Sequence, residues 1–394
     1  MNFSLGECRR SGAAKAGAMV KRAFVDYYRE RDISPVKQDV SDRERHFSRR
    51  ASLYRFLGVP PLYVEGAHVL EFGPGSGDNA TYTASLGPER YVLVDANPRG
   101  LAETRLQLAA TALAPECVSV VESYVEDFAV EERFDLVLAE GLVPFQNDPG
   151  GFARHIASFV RPGGMLVLTC ADAASAIGEI GRRFLANRIA PPALPYLERR
   201  SLLVPVFSAH LATLEGMSRS VEDWIDDNIA HPLTGRLYSI ADAIESLAGD
   251  GFAIWGSSPQ FLTDWRWYKR VYGDERDFNG RAVESYYRNV ANLLDYRVTL
   301  EPHDGELGRA ILRECNALYA LMQANDAGDE SLAPQTAGRL RDVAELVADV
   351  SPLTASSLRS LAGALAGDNA AVLGEEFTAH FGRGQQYVSF VRER

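Results

Sequence analysis

The run His68-Val69-Leu70-Glu71-Phe72, passing straight into Gly73-Pro74-Gly75-Ser76-Gly77, constrains this chain most. A short apolar stretch containing one acid gives way to a turn with glycine at every second position. Glycine tolerates the positive φ such a turn can require, and it admits a ligand where a Cβ would clash. Pro74 stiffens the turn. A second apolar run, Tyr91-Val92-Leu93-Val94, closes on another acid, Asp95. A tight strand-to-helix connection alone would account for the glycines, but not for Asp95 at the end of the next run. Two acids at the ends of successive strands predict a ligand crevice at the carboxyl edge of a parallel sheet.

The surrounding pattern agrees. Between Ala67 and Cys170, β-branched runs at 68–72, 91–95, 117–121, 134–139 and 165–170 alternate with helical segments at 77–86, 98–112 and 149–160. Such alternation predicts an α/β fold, a doubly wound and mostly parallel sheet covered on both faces. Gly163-Gly164 is expected to form the tight turn into the fifth strand. Ahead of the sheet, Ala13–Arg31 and His46–Leu57 have helical periodicity, and Pro60-Pro61 stops the second helix. Beyond it, 173–232 is mainly helical, broken at 191–195. A helix at 240–247 and a strand at 252–255 follow, then helices across 281–380. Alternation returns at 386–391, which suggests that the helical block is an insertion and that the chain comes back to complete the sheet. A separate C-terminal helical domain is the alternative. The expected divisions are 1–64 (N-terminal helices), 65–172 (ligand-binding core), 173–236 (helical cap), 237–272 (return to the core), 273–380 (helical region) and 381–394 (last strand).

Bulk properties narrow the function classes. With 394 residues, 46% of them hydrophobic and 24% charged, the chain can bury a large core. A formal net charge of -12 argues against a surface that coats nucleic acid. Cys8, Cys117, Cys170 and Cys315 lack metal-ligand spacing, so no metal site and no disulfide framework is expected. No apolar leader and no bilayer-length run is seen, so a cytoplasmic location without membrane contact is expected.

Two ligands compete for the glycine turn. A dinucleotide site shows G-x-G-x-x-G, with a helix N-terminus aimed at a pyrophosphate. Here the spacing is G-x-G-x-G, and Glu71 two residues ahead would repel a diphosphate while suiting an amine-bearing nucleoside. These residues resemble the class I S-adenosylmethionine-dependent methyltransferases. The resemblance covers about 65–172: the glycine-rich motif at 71–77, the ribose acid Asp95, a fourth-strand motif at 134–140 and a turn before the fifth strand at 159–166. It implies a Rossmann-like fold with S-adenosylmethionine as cofactor and S-adenosylhomocysteine as product. Glu71 would hold the methionyl amine, Gly73, Pro74, Gly75 and Gly77 would line the cofactor, and Asp95 would bind the ribose. Ala96 would touch the adenine. Tyr124 and Val125, standing where the family often has Asp-Ala, would read its edge. Glu140 and Gly141 would lie where cofactor and acceptor meet, with Glu140 the candidate base or acceptor-orienting residue.

For the acceptor, the Asn-Pro-Pro-Tyr type of motif is replaced by Ala139-Glu140-Gly141-Leu142, which disfavours a nucleic acid. A small metabolite methylated at O or N is expected. A protein side chain, a saccharide and a non-catalytic binding subunit remain alternatives, and a homodimer through the helical regions is possible. Trp265 and Tyr268 are candidate substrate contacts or helix-packing residues. His231, grouped with Trp224, Asp227 and Asn228, is a third candidate contact. Arg49 or Arg50 could meet the cofactor carboxylate, His303-Asp304 could form a base pair of groups, and Cys170 is expected to be a small buried residue.

Overall fold

A computed structural model describes residues 23–34, 36–231, 233–367 and 375–393. Residues 13–22 of the first expected helix lie outside them, as does Cys8. Seven strands form one sheet: β1 (His68–Phe72), β2 (Arg90–Asp95), β3 (Val118–Glu122), β4 (Phe134–Ala139), β5 (Val160–Cys170), β6 (Phe252–Ser258) and β7 (Gln386–Arg392). Their order is β3-β2-β1-β4-β5-β7-β6. β1 to β5 run parallel, and β7 lies antiparallel between β5 and β6.

Both faces of the sheet are buried, so its strands are nearly continuously apolar. Leu70, Phe72, Val92, Val94 and Val137 contribute to one core, while Val69, Tyr91, Leu93, Leu136 and Leu138 contribute to the other. The period of two puts Glu71 on the second face, above Tyr91. That face is covered by the Arg43–Phe56 helix, whose Tyr54, followed by Leu57, packs into the same core. A helix rich in arginine earns its place through a narrow stripe that also buries His46 and Arg50.

The flanking helices start where their caps are. Asn97 caps Pro98–Ala109 by accepting from the Arg99 N–H, Asp148 caps Pro149–Ala157, and Ser239 with Asp242 forms a capping box for Ile240–Ala248. The first crossover helix is shorter than its periodicity suggests, Ala80–Ser85, because 77–79 still belong to the glycine turn. One expectation is corrected. Gly163-Gly164 is not a turn into β5 but an irregularity inside it, since β5 already pairs with β4 at Val160 and the register shifts before Met165. A Cβ at Gly164 would lie 2.9 Å from the Asp135 carbonyl oxygen, which leaves glycine the residue that fits.

Beyond β5 come the helices Ile177–Ile189 and Tyr196–Leu211, then the short α-helix Val221–Ile225, which continues as a π-helical turn, Asp226–Ala230. Between β6 and β7 the chain makes Phe278–Asn289, Gly305–Asp326, Ala333–Val347 and Pro352–Ala366 before returning. Asp304 caps the second of these by accepting from the Glu306 N–H, so His303-Asp304 serves a helix start rather than chemistry. Cys170 is buried, and burial pushes its thiol well up, away from reactivity. Among the described residues no helix is long and apolar enough to cross a membrane.

Candidate active site

The strand order reverses between β1 and β4, and the crevice opens there, at their carboxyl ends. Gly73, Gly75 and Gly77 have φ of 67°, 58° and 84°, the left-handed region that glycine enters without strain. All three have close neighbours as well: a Cβ at Gly77 would stand 2.7 Å from Thr104 Cα, one at Gly75 would strike Val36, and one at Gly73 would strike Leu142. The turn therefore lies flat against the Pro98–Ala109 helix on one side and leaves its other side to a cavity.

That cavity has a volume of about 1040 Å³. It is at the upper end of what a single small ligand occupies, and large enough for a nucleoside cofactor with a second molecule beside it. Glu71, Gly73, Pro74, Gly75, Asp95, Glu140 and Gly141, all expected from the sequence, line it. The Tyr91 hydroxyl donates to Glu71, whose carboxyl is pushed up to about 7, first by burial and then by the Glu140 charge; the Tyr91 bond and Arg50 partly offset this. Asp95 is raised to about 6 by burial, against bonds from the backbone N–H groups of Asn97 (2.8 Å) and Gly75 (3.3 Å). Among the described residues neither acid has an ion-pair partner. Two shielded carboxyls without an ion-pair partner, Glu71 buried and Asp95 half-buried, fit a ligand that brings an ammonium and hydroxyl donors.

Glu140 is placed as expected but engaged differently. Arg50 grips it with both terminal nitrogens, Nη2 to Oε1 at 2.6 Å and Nη1 to Oε2 at 3.0 Å. Asn79 adds a longer bond to Oε2, at 3.4 Å. Both its oxygens are thus held in a bidentate pair, which engages the acid expected to act as base or to orient the acceptor. Arg50, weighed as a partner for a ligand carboxylate, spends its donors on Glu140 instead.

Other expectations move. Ala96 is buried behind Asp95, and neither it nor Gly77 reaches the cavity wall. Tyr124 and Val125 lie at the end of β3 but off that wall. The Tyr124 hydroxyl accepts from Arg29 at 3.0 Å, and the Val125 carbonyl is 2.8 Å from His155 Nε2. The wall beside Asp95 is lined instead by Asn97, Ser34 and Val36, which the sequence reading missed. Asn97 caps the helix that begins at Pro98, and its amide also ties down the Ile33 carbonyl, at 3.1 Å.

Residues 25–34 and 36–38 run along the cavity as a strap, with Val25, Tyr28, Ser34, Val36 and Gln38 on its wall. On one side Gln38 bonds Asp78 and Asn79, and Arg99 reaches Asp32. On the other, the Tyr28 hydroxyl donates to Asp227 at 2.7 Å, and Arg219 pairs with the same carboxylate at 2.8 Å. His231 lines the cavity nearby, as proposed from the sequence. Burial and the Arg183 charge hold its imidazole down at about 3, so it is neutral.

Trp265 and Tyr268 are the clear corrections. They lie in a stretch without a long helix, are 93% and 73% exposed, and do not line this cavity. Trp265 borders a second hollow, beside Gly163 and Val391, at the opposite end of the sheet. Among the described residues no group of three or more His, Cys, Asp or Glu could hold a metal ion.

Residues 70–168 match the family described as "Methyltransferase domain". The chain is 32% identical over 108 residues to a ubiquinone biosynthesis O-methyltransferase of Cereibacter sphaeroides, covering 27% of this chain and 42% of that protein. It is 30% identical over 131 residues to the protein of the same description from Xanthomonas euvesicatoria, covering 32% of this chain and 53% of that protein. The chain thus spans about half the length of the curated relatives it matches. Among solved structures, the N-methyltransferase NodS of Bradyrhizobium japonicum with S-adenosylhomocysteine is 20% identical, covering 38% of this chain and 76% of that chain at a TM-score of 0.31.

Proposed function

We propose, for a chain whose residues 70–168 form a class I S-adenosylmethionine-dependent methyltransferase domain, that it transfers a methyl group to an oxygen or nitrogen of a small organic molecule. The observation that carries this is the pair of acids without an ion-pair partner among the described residues, the buried Glu71 and the half-buried Asp95, on adjacent strands beside the glycine turn. Glu71 fits the methionyl ammonium and Asp95 the vicinal hydroxyls of a ribose. When bound, the cofactor supplies the electrophilic methyl of its sulfonium. The rest falls to the protein: an in-line displacement depends chiefly on holding donor and acceptor in attack geometry with water kept out. The Arg50–Glu140 pair stiffens the wall at the end of β4, the strap runs along the cavity, and Leu142, Phe145 and Phe381 make part of the remaining wall apolar.

A cavity walled in part by the helical additions, with Ile180, Trp224 and Tyr319 among its lining, favours a small acceptor over a polymer. The test is calorimetry of the purified chain with S-adenosylhomocysteine. Saturable one-to-one heat that Asp95→Ala weakens is expected. No heat with that compound, while NADH titrates cleanly, would overturn the proposal.

A further inference from the structure

Six carboxyl side chains line the cavity, Glu71, Asp78, Asp95, Glu140, Glu179 and Asp227, against two guanidinium groups, Arg219 and Arg383. Three of the acids serve the glycine-turn side: Glu71, Asp95, and Asp78, which is bonded to Ser76 and Gln38. Glu140 is held by Arg50, and Asp227 by Arg219 and Tyr28.

Glu179 is the remaining acid. It stands in the first turn of the Ile177–Ile189 helix, on the wall with Ala176 and Ile180. Among the described residues no ion pair reaches it, and its Oε2 is closed off from solvent with no hydrogen-bond partner. The nearby cations make no bond to it, although the Arg182 charge offsets part of its burial through space. Arg182, one turn on, bonds His210 Nδ1 and the carbonyls of Thr378 and His380, and stacks 3.7 Å from the Phe381 ring centroid. Arg383 donates to the carbonyls of Asn292 and Val298. Burial accordingly pushes the Glu179 carboxyl up. A shielded acid without a partner is costly unless a ligand brings the missing charge. Around it the cavity is aromatic, with Trp224, Tyr296, Tyr319 and Phe381, a lining that suits a flat body bearing a cation.

We infer that the acceptor end of the cavity takes a small molecule with an aromatic or apolar body and a protonated amine, and that Glu179 receives the ammonium and sets this specificity. The inference rests on the methyltransferase reading and adds a substrate class to it.

The experiment loads the full chain with S-adenosylhomocysteine, whose own binding heat reports separately on that reading. Tyramine and tryptamine are then titrated against their uncharged counterparts, 4-ethylphenol and 3-ethylindole, and against 3-(4-hydroxyphenyl)propionate, by ligand-observed NMR. Each amine is expected to bind at least tenfold tighter than its neutral counterpart, and the acid not at all. Glu179→Gln should abolish the preference and Glu179→Asp should keep part of it, with S-adenosylhomocysteine affinity as the check on folding. The inference is overturned if the cofactor product binds but no amine does, if neutral or acidic probes bind as well, or if Glu179→Gln retains the preference.

Discussion

The two halves of the cavity are built in different ways. The glycine-turn half comes from a short stretch of chain: Glu71, Gly73, Gly75, Asp95 and Asn97 sit within thirty residues, on the ends of two hydrogen-bonded strands. Backbone geometry alone fixes their spacing, because a parallel ladder puts Glu71 beside Leu93 and leaves Asp95 one step past its end. The acceptor half has no such frame. Tyr28, Glu179, Asp227, Tyr319 and Phe381 are drawn from five separate regions and meet through packing between helices. A ligand common to a whole family can be held by a local motif, whereas a ligand peculiar to one chain is held by what that chain has added.

Four measurements would break or sharpen this contrast. The largest effect belongs to Arg50→Ala, which leaves Glu140 as an uncompensated charge near Glu71 in a buried pair. Urea unfolding should show a loss of about 3–5 kcal/mol, and a variant that keeps full stability would show that the pair does not brace the site. Next, Asp95→Ala should weaken S-adenosylhomocysteine binding by about 1–3 kcal/mol through lost charge-assisted hydrogen bonds, read by calorimetry. An unchanged dissociation constant would remove Asp95 from the cofactor half. Tyr28→Phe should lower stability by about 1 kcal/mol and loosen the strap on the acceptor side, with less effect on cofactor affinity than Asp95→Ala. If it harms the cofactor as much, the two halves are not separable. Trp265→Ser should change stability by no more than about 0.5 kcal/mol, because the ring is almost wholly in solvent away from the cavity.

Acidity gives a further handle on the cofactor half. Glu71 titrates near 7 and Asp95 near 6 in the unliganded chain, above their ordinary values of 4.5 and 3.8. A ligand that needs both as carboxylates must displace protons, so its affinity should fall as pH drops through 7 and then 6, with calorimetric heats that vary with the buffer. Stability of the unliganded chain runs the other way. Raised carboxyls bind protons better folded than unfolded, so these two groups favour folding increasingly as pH falls from about 7 towards 4. A Glu71→Gln variant should flatten the upper part of both profiles, and a flat wild-type profile between pH 8 and 6 would contradict the assignment of Glu71.

The contrast also explains what was legible in the sequence. Strands announced themselves because both faces of the sheet are buried, so their apolar runs are unbroken, and the helix caps at Asn97, Asp148 and Ser239 are local signals. Glu71 and Asp95 could be assigned because strand ends and glycine turns have fixed geometry. The Glu140 position was legible but its pairing was not, since its partner lies ninety residues earlier on a helix whose register against the sheet no local pattern gives. Trp265 and Tyr268 misled for the opposite reason. Clustered aromatics imply burial on average, yet whether these particular rings meet the cavity depends on the course of a segment with little regular structure. Glu179 gave no signal, because an acid in the first turn of a helix is also what favourable interaction with the helix dipole would select.

The placement of β7 has a consequence for how the molecule comes into being. It hydrogen-bonds β5 on one edge and β6 on the other, yet the whole of 259–385 is translated between β6 and it. Until then β5 and β6 cannot be joined, and each offers raw backbone to any passing strand. The long detour must therefore collapse on itself before the gap is filled, and nascent chains stalled within it should be the species that clump or call on chaperones.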